Sequence, residues 1–368
     1  VVELRQGWPG VQPVTVALDD PAEPGLRVAG LAYTDVVGVP EIGDRVLLNT
    51  TAIALGLGTG GSAMVVAIPD RLPADDPARP PLAPGHVVKA RYTPLQTTVL
   101  GVDEQDSPHH AALREADDLG GMPVVMADLH SALPAVLAGL RSAVGGSDRA
   151  AAAGPPPRVA YVMSDGGALP LPFSRTVAML REAGWLVGSV TVGQAYGGDL
   201  EATTLHTGLL AARLVLDADV AVVTQGPGNL GTGTRWGFSG VAVGEAVNAA
   251  GVLGGRPVAV LRVSEADPRP RHRGVSHHSL TALGRVALQP CDVVLPVLPD
   301  PFGTQLRDQV APLARRHRIV PVDVDGLLPV LRTVPVGLRT MGRGLDEDAA
   351  SFLAAAAAGR HVLAMLRS

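Results

Sequence analysis

Two rhythms of apolar and polar positions divide the chain near residue 100. Up to that point the runs VQPVTVAL, LRVAGLAY, DRVLLNTTAI, AMVVAI and HVVKARY are short, apolar or alternating, and separated by Pro- and Gly-bearing turns. Such spacing reads as strands with one buried face. It predicts a small β-rich domain over residues 1–100, a barrel or sandwich, with the Pro-rich stretch 69–85 as a projecting loop.

Beyond residue 100 the runs TTVLGV, MPVVMA, RVAYVM, LVGSVTV, DVAVVTQ, RPVAVLRV, CDVVLPV and RIVPVDV lose alternation, as strands buried on both faces do. Helical stretches over 108–119, 131–142, 174–183, 200–215, 239–250, 277–286, 303–316 and 346–367 fall between and after them. The pattern predicts an α/β domain over 101–368 with a largely parallel, doubly wound sheet. The segment 142–157 is a linker or surface loop that would divide this domain into two lobes.

Composition narrows the class of function. The chain has 368 residues, 46% hydrophobic but only 3% aromatic, with a formal net charge of −5. Few aromatics and no basic excess argue against nucleic-acid binding. Lys89 is the only lysine beside 29 arginines, so an arginine in place of lysine is no sign of phosphate recognition, and only clustering counts. Cys291 stands alone, which excludes an intramolecular disulfide and a cysteine-based zinc site, and it reads as a buried, inert thiol. No apolar run reaches the ~18–20 residues of a membrane span, and VVELRQGWPG lacks the features of a secretory leader. A cytoplasmic protein without a membrane partner is expected, with homo-oligomerisation left open.

In open parallel sheets ligands bind beyond the carboxyl ends of the strands. The loops on that edge are the rich ones here, and those on the other edge are short. TQGPGNLGTGTRWGFSG, 224–240, follows a strand and precedes a helix that Ser239 would cap. Gly226, Gly228, Gly231 and Gly233 let the backbone approach a ligand, and Thr232, Thr234 and Arg235 add donors, which suits an anion. It is neither a P-loop nor a dinucleotide fingerprint, and a purely structural glycine loop is the alternative. In MSDGGALP, Asp165 is a candidate base beside Ser164, with Gly166 and Gly167 as a pair of N–H donors; the alternative is an Asp-Gly-Gly turn. In ADLHSALP, Asp128 and His130 follow another strand, with Ser131 as a helix cap. The repeat of strand, Met-x-Asp and Ala-Leu-Pro places Asp128 and Asp165 equivalently.

SEADPRPRHRGVSHHS, 264–279, is the densest polar stretch. Glu265, Arg273 and Ser276 are candidate ligand contacts. Ser276 is a plausible N-cap, leaving His277 and His278 in the first helical turn, where neutral imidazole is favoured. Adjacent side chains on a helix point about 100° apart, which disfavours a shared ion. With His109, His110 and His130 the pair would be the raw material for a metal site, but no H-x-x-x-H or H-E-x-x-H spacing occurs, and no metal is expected. GDRVLLNTTAIALGLGTGG, 43–61, carries Asn49, Thr50 and Thr51 before further glycines, and is expected to serve as a lid or a subunit contact.

The segments GDRVLLNTTAIALGLGTGG, ADLHSALP, SDGGALP, GPGNLGTGTRWGFSG and RHRGVSHHS resemble those of an uncharacterised bacterial family, a domain of unknown function found in high-GC Gram-positive and spore-forming lineages. The resemblance spans nearly the whole chain and implies no activity, cofactor or site residue. From the residues alone the expectation is a hydrolase or group transferase binding a small anionic, phosphorylated or nucleotide-like ligand at the sheet's C-terminal edge. Asp128, His130, Asp165, His277 and His278 are its catalytic candidates, and its cofactor is not specified. A non-catalytic ligand-sensing or assembly protein remains the alternative, and nucleic-acid binding through the β domain the third.

Overall fold

The computed structural model describes residues 1–19, 25–57, 60–71, 85–142 and 155–368. Most of the Pro-rich loop (72–84), most of the 142–157 segment (143–154) and Gly58–Thr59 of the first Gly/Thr stretch lie outside the described residues. The chain divides into two units. One comprises Val1–Leu100 with Pro172–Ala178, the other Gly101–Leu171 with Met179–Ser368.

In the first unit β1 (Glu3–Leu4), β2 (Val11–Ala17), β3 (Arg27–Tyr33), β4 (Leu47–Asn49) and β5 (Ala63–Ala67) form a mixed sheet in the order β1-β2-β3-β5-β4. The alternation of VQPVTVA turns Val14 and Val16 inward, where they pack with Ala32 and Val65. β6 (Val87–Lys89) pairs antiparallel with β7 (Thr97–Val99). The TTVLGV run, read as the first strand of the α/β sheet, is therefore half of this hairpin instead. The Trp8 indole donates to the Pro172 carbonyl at 2.7 Å, a polar tie within this unit.

The second unit is built on an eight-stranded sheet of β8 (Pro123–Met126), β9 (Val159–Ser164), β10 (Gly188–Thr191), β11 (Leu200–Glu201), β12 (Val220–Gln225), β13 (Arg256–Val260), β16 (Asp292–Val297) and β17 (Arg318–Asp323). β14 (Val263–Ser264) and β15 (Gly274–Val275) make a separate antiparallel pair. The order is β11-β10-β9-β12-β8-β13-β16-β17 and every pairing is parallel. β8, β9, β10 and β12 bury nearly every residue, which accounts for their lost alternation. The edge strand β11 is two residues long and lies inside the stretch read as helix 200–215; the helix proper is Leu205–Leu214. Strands from either side of 142–157 share this one sheet.

Strand succession sets where a crevice opens. From β9 the chain steps outward to β10 and β11. It then returns through β12 and, passing over β8, continues the other way to β13, β16 and β17. The reversal at β9, β12 and β8 is where connections diverge to opposite sides and leave a gap beyond the strand ends.

The helix Ala349–Arg367 is long and apolar enough, by length and composition, to cross a membrane. Here it is a core helix, with Phe352, Ala354–Ala358 and Val362 buried. It crosses Leu133–Leu140 at close range. A Cβ on Gly139 would meet the Ala356 carbonyl at 2.0 Å, and one on Gly359 the Val136 carbonyl at 2.1 Å. Two glycines and an alanine run thus replace bulk with backbone approach.

Candidate functional site

β8 ends in Met126, and Asp128 follows at the middle of the sheet's carboxyl edge, 5% exposed. Its neighbours come from three other segments. Asn229 donates to Oδ1 at 2.7 Å, while Arg262 and His278 Nδ1 each lie 3.0 Å from Oδ2. Gln225, the last residue of β12, donates to the Asp128 carbonyl at 2.9 Å. A Cβ on Gly240 would fall 1.5 Å from Oδ1, so only glycine fits there. Burial alone would raise the carboxyl's pKa, but the His278 hydrogen bond and the Arg262 charge outweigh it and hold the pKa below its ordinary value. An ionised carboxylate only accepts and a guanidinium only donates, so His278 Nδ1, which lies 3.0 Å from both Asp128 Oδ2 and Arg262, bonds the carboxylate when it carries a proton.

His278 belongs to a cluster. β13 runs into Arg262, and the β14–β15 pair then carries out and returns an arm spanning 265–273. Ser276 caps the helix His277–Thr281, as the sequence leads one to expect, by accepting from the His278 amide at 3.2 Å. The same Oγ lies 2.8 Å from His272 Nδ1, which folds His272 back over the cap. The ring centres of His272, His277 and His278 are 4.5 to 5.1 Å apart. One ligand nitrogen from each lies within 4.8 Å of the other two. Phe238 stacks on His278 with centroids 3.8 Å apart and planes 10° from parallel. His277 Nε2 is buried and has no hydrogen-bond partner among the described residues. Burial drives the His272 pKa down to about 3 and also lowers that of His277, so both rings are neutral at physiological pH.

The arm is held by ion pairs rather than by apolar packing. Asp267 and Asp348 are buried. Arg269 and Arg343 lie 2.7 and 3.2 Å from Asp267, Arg343 lies 3.1 Å from Asp348, and Ser264 donates to Asp348 at 2.5 Å. The Arg269 hydrogen bond keeps the Asp267 carboxyl well below the usual carboxylate range. Glu265, a candidate contact, is exposed, and its amide is tied to Asp348. Arg273 is exposed as well.

The other sequence candidates fall in three places. Ser164, Asp165 and Gly166 line a cavity of about 410 Å³ at the ends of β8, β9 and β12, and Asp128 lines it too. Asp165 is exposed and accepts from the Gln194 amide at 2.9 Å, which makes it a brace for the turn after β10. Gly166 and Gly167 allow the close approach of 225–227, since their Cβ atoms would meet Gln225 Oε1 at 2.6 Å and the Gly226 carbonyl at 2.2 Å. A Cβ on Gly226 would meet the Ala168 carbonyl at 2.3 Å in turn.

The Gly/Thr loop is closed on itself. The Thr232 amide donates to the Gly237 carbonyl, the Thr232 and Thr234 hydroxyls bond each other at 3.1 Å, and the Gly237 amide donates to Thr234. Gly231, Thr232, Gly233, Thr234 and Arg235 are exposed, and Gly228 adopts a left-handed φ of 93°. Ser239 does not cap a helix: its hydroxyl donates to Asn229 and accepts from the Leu230 amide, closing the loop's base.

His130 bonds the Tyr161 hydroxyl at 2.9 Å, and burial lowers its pKa to about 4. Ser131 donates to Thr340 rather than capping a helix. His110 Nδ1 is 2.8 Å from the Asp103 carbonyl. None of His109, His110 and His130 joins the cluster. Cys291 is buried 3.3 Å from His317, and burial pushes its thiol up to about 12.

His272 is the member of the histidine cluster that sequence reasoning missed. Its signal was present as the spacing H-x-x-x-x-H-H around a cap serine, but it was submerged among three arginines. The rings of His277 and His278 are inclined at 71°, and the third donor arrives from the arm rather than from the helix.

A family model described as protein of unknown function (DUF3866) matches residues 29–359. The chain belongs to this family. Neither the curated proteins nor the solved structures contain a match to it.

Proposed function

We propose that this member of the DUF3866 family is a metal-dependent hydrolase whose centre is the His272–His277–His278 cluster. The observation that carries the reading is the convergence of three imidazole nitrogens within 4.8 Å, one of them buried and unpartnered. Three histidines leave a fourth position for water on a zinc-type ion. Such an ion would lower the pKa of its water to ~7 and would supply a hydroxide nucleophile. His272, His277 and His278 would hold such an ion once their nitrogens move closer together than the 4.8 Å spanned here.

The surrounding groups have definite parts in this reading. Asp128 accepts the Nδ1 proton of His278, which fixes its tautomer and aims Nε2 at the ion. Ser276 does the same for His272 by accepting from Nδ1. Arg262 keeps Asp128 ionised and does not touch the ion. In this reading the substrate occupies the cavity that Asp128 lines beside His278, a cavity whose lining includes none of the three histidines. An anionic or phosphorylated ligand is left out of the reading: the threonine hydroxyls of the Gly/Thr loop bond one another, and the lining of the cavity includes no lysine or arginine among the described residues.

The test is a titration of the chelator-treated chain with Zn²⁺ and, for its visible spectrum, Co²⁺. One ion per chain is expected, with a tetrahedral Co²⁺ band, and both are expected to vanish in His277→Ala. Wild-type chain that takes up no ion, or uptake unchanged in His277→Ala, would contradict the proposal. The loaded chain is then assayed on ester, amide and phosphoester panels. Metal binding without turnover on any of them would favour the ligand-sensing alternative.

A further inference from the structure

The cavity at the strand reversal, whose lining includes none of the cluster histidines, carries an unpaired group of its own. Gln225 is 4% exposed at the end of β12 and forms part of the cavity lining. Its Nε2 donates to the Asp128 carbonyl at 2.9 Å. That bond fixes the amide's orientation, since the flipped amide would set two carbonyl oxygens against each other. Oε1 is thereby directed to the side of Gly166, another lining residue, and it is buried without a hydrogen-bond partner among the described residues. Buried side-chain acceptors seldom go unpaired, and where they do a ligand is a natural partner.

The rest of the lining defines what that partner is. Met126, Val192, Val223, Val243, Ala246 and Ala249 supply apolar walls. Its ionisable side chains are Asp128, Asp165, His206 and Glu245, and Asp165, His206 and Glu245 are exposed. With no lysine or arginine in the lining, a phosphate or carboxylate would be desolvated without a fixed counter-charge. The volume of about 410 Å³ is that of a small-molecule site.

We infer that the cavity binds an uncharged or cationic small molecule with a compact apolar body and an N–H group, an amide or an amine, which donates to Gln225 Oε1. This deepens the hydrolase reading by naming its substrate class, and it rests on that reading only for the claim that the ligand is a substrate. Gln225 is assigned as a specificity-determining residue.

The test uses the full chain, stripped of metal, titrated calorimetrically with benzamide, benzylamine and benzoate, three probes of one shape and different charge. Benzamide and benzylammonium are expected to saturate at millimolar concentration and benzoate to bind at least tenfold more weakly. Gln225→Leu is expected to weaken the two binders by tenfold or more. Val243→Phe, which fills the cavity from a partly exposed wall, is expected to abolish binding while leaving the circular dichroism unchanged. Binding equal in His277→Ala separates this inference from the metal centre. Benzoate binding as tightly as benzamide would overturn the inference. So would full binding in folded Val243→Phe, loss of binding in His277→Ala, or no binding of any probe.

Discussion

The loop 226–240 and the arm 265–273 both lie beyond central strands of the parallel sheet, and both drew attention for their polar residues. They differ in what those residues do. In the loop, threonines and backbone close on each other at an exposed tip. Its contributions to the site come from its base, where Asn229 meets Asp128 and Phe238 covers His278. In the arm, the buried carboxylate of Asp267 is paired with Arg269 and Arg343, and this framework presents an uncharged group, His272, to the cluster. Conspicuous charge in sequence can therefore be framework around an uncharged side chain.

Removing a cluster imidazole is expected to give the largest effect on metal binding. His272→Ala or His277→Ala should weaken Zn²⁺ affinity by more than ~100-fold, since even the outer partners of ligands are worth ~10–100-fold. Direct titration with a competing chelator checks this. Asp128→Asn should fall in that ~10–100-fold range while the ion remains bound, because the amide no longer accepts the His278 proton through a full charge.

Breaking the arm's scaffold should cost stability before affinity. Asp267→Asn leaves the partly exposed Arg269 without its carboxylate and Arg343 with Asp348 alone, and a loss of about 1–2 kcal/mol is expected from denaturant unfolding. The pH dependence follows from the same residue. Its folded pKa lies below the unfolded one, so its contribution is complete above ~pH 4 and is lost as pH falls further, through the folded pKa. Unfolding followed from pH 5 downward should fall less steeply in Asp267→Asn than in wild type. Equal slopes would remove Asp267 from the scaffold.

The smallest effects belong to the loop tip. Thr232→Ala, Thr234→Ala and Arg235→Ala should each change stability by no more than ~0.5 kcal/mol and leave Zn²⁺ affinity unaltered. A tenfold loss of affinity in any of them would bring the tip into the site and erase the contrast between loop and arm.

Much of the second unit was legible because its strands announce themselves. VAYVMS and VAVVTQ are buried along nearly their whole length, and only a central parallel strand demands that. β11 was illegible because its two residues owe their strand character to pairing with Val190 and Thr191. TTVLGV was misread because a short apolar run carries no mark of which partner it pairs with, and its partner is the nearby β6. At the site, Asp128, His277 and His278 stood out as polar residues at strand and helix ends. Asn229, Gln225, Phe238, Arg262 and His272 did not, because their roles arise only when segments far apart in the chain meet. Arg262 in particular reads as the end of an apolar strand, yet it neutralises a buried carboxylate 134 positions away.

The most direct test of the central claim is an anomalous difference map at the zinc edge from crystals of the zinc-loaded chain. The account expects one strong peak ~2.0–2.1 Å from the Nε2 atoms of His272, His277 and His278, with Asp128 still on Nδ1 of His278. A map with no peak among the three rings, or with its peak elsewhere in the molecule, would contradict it.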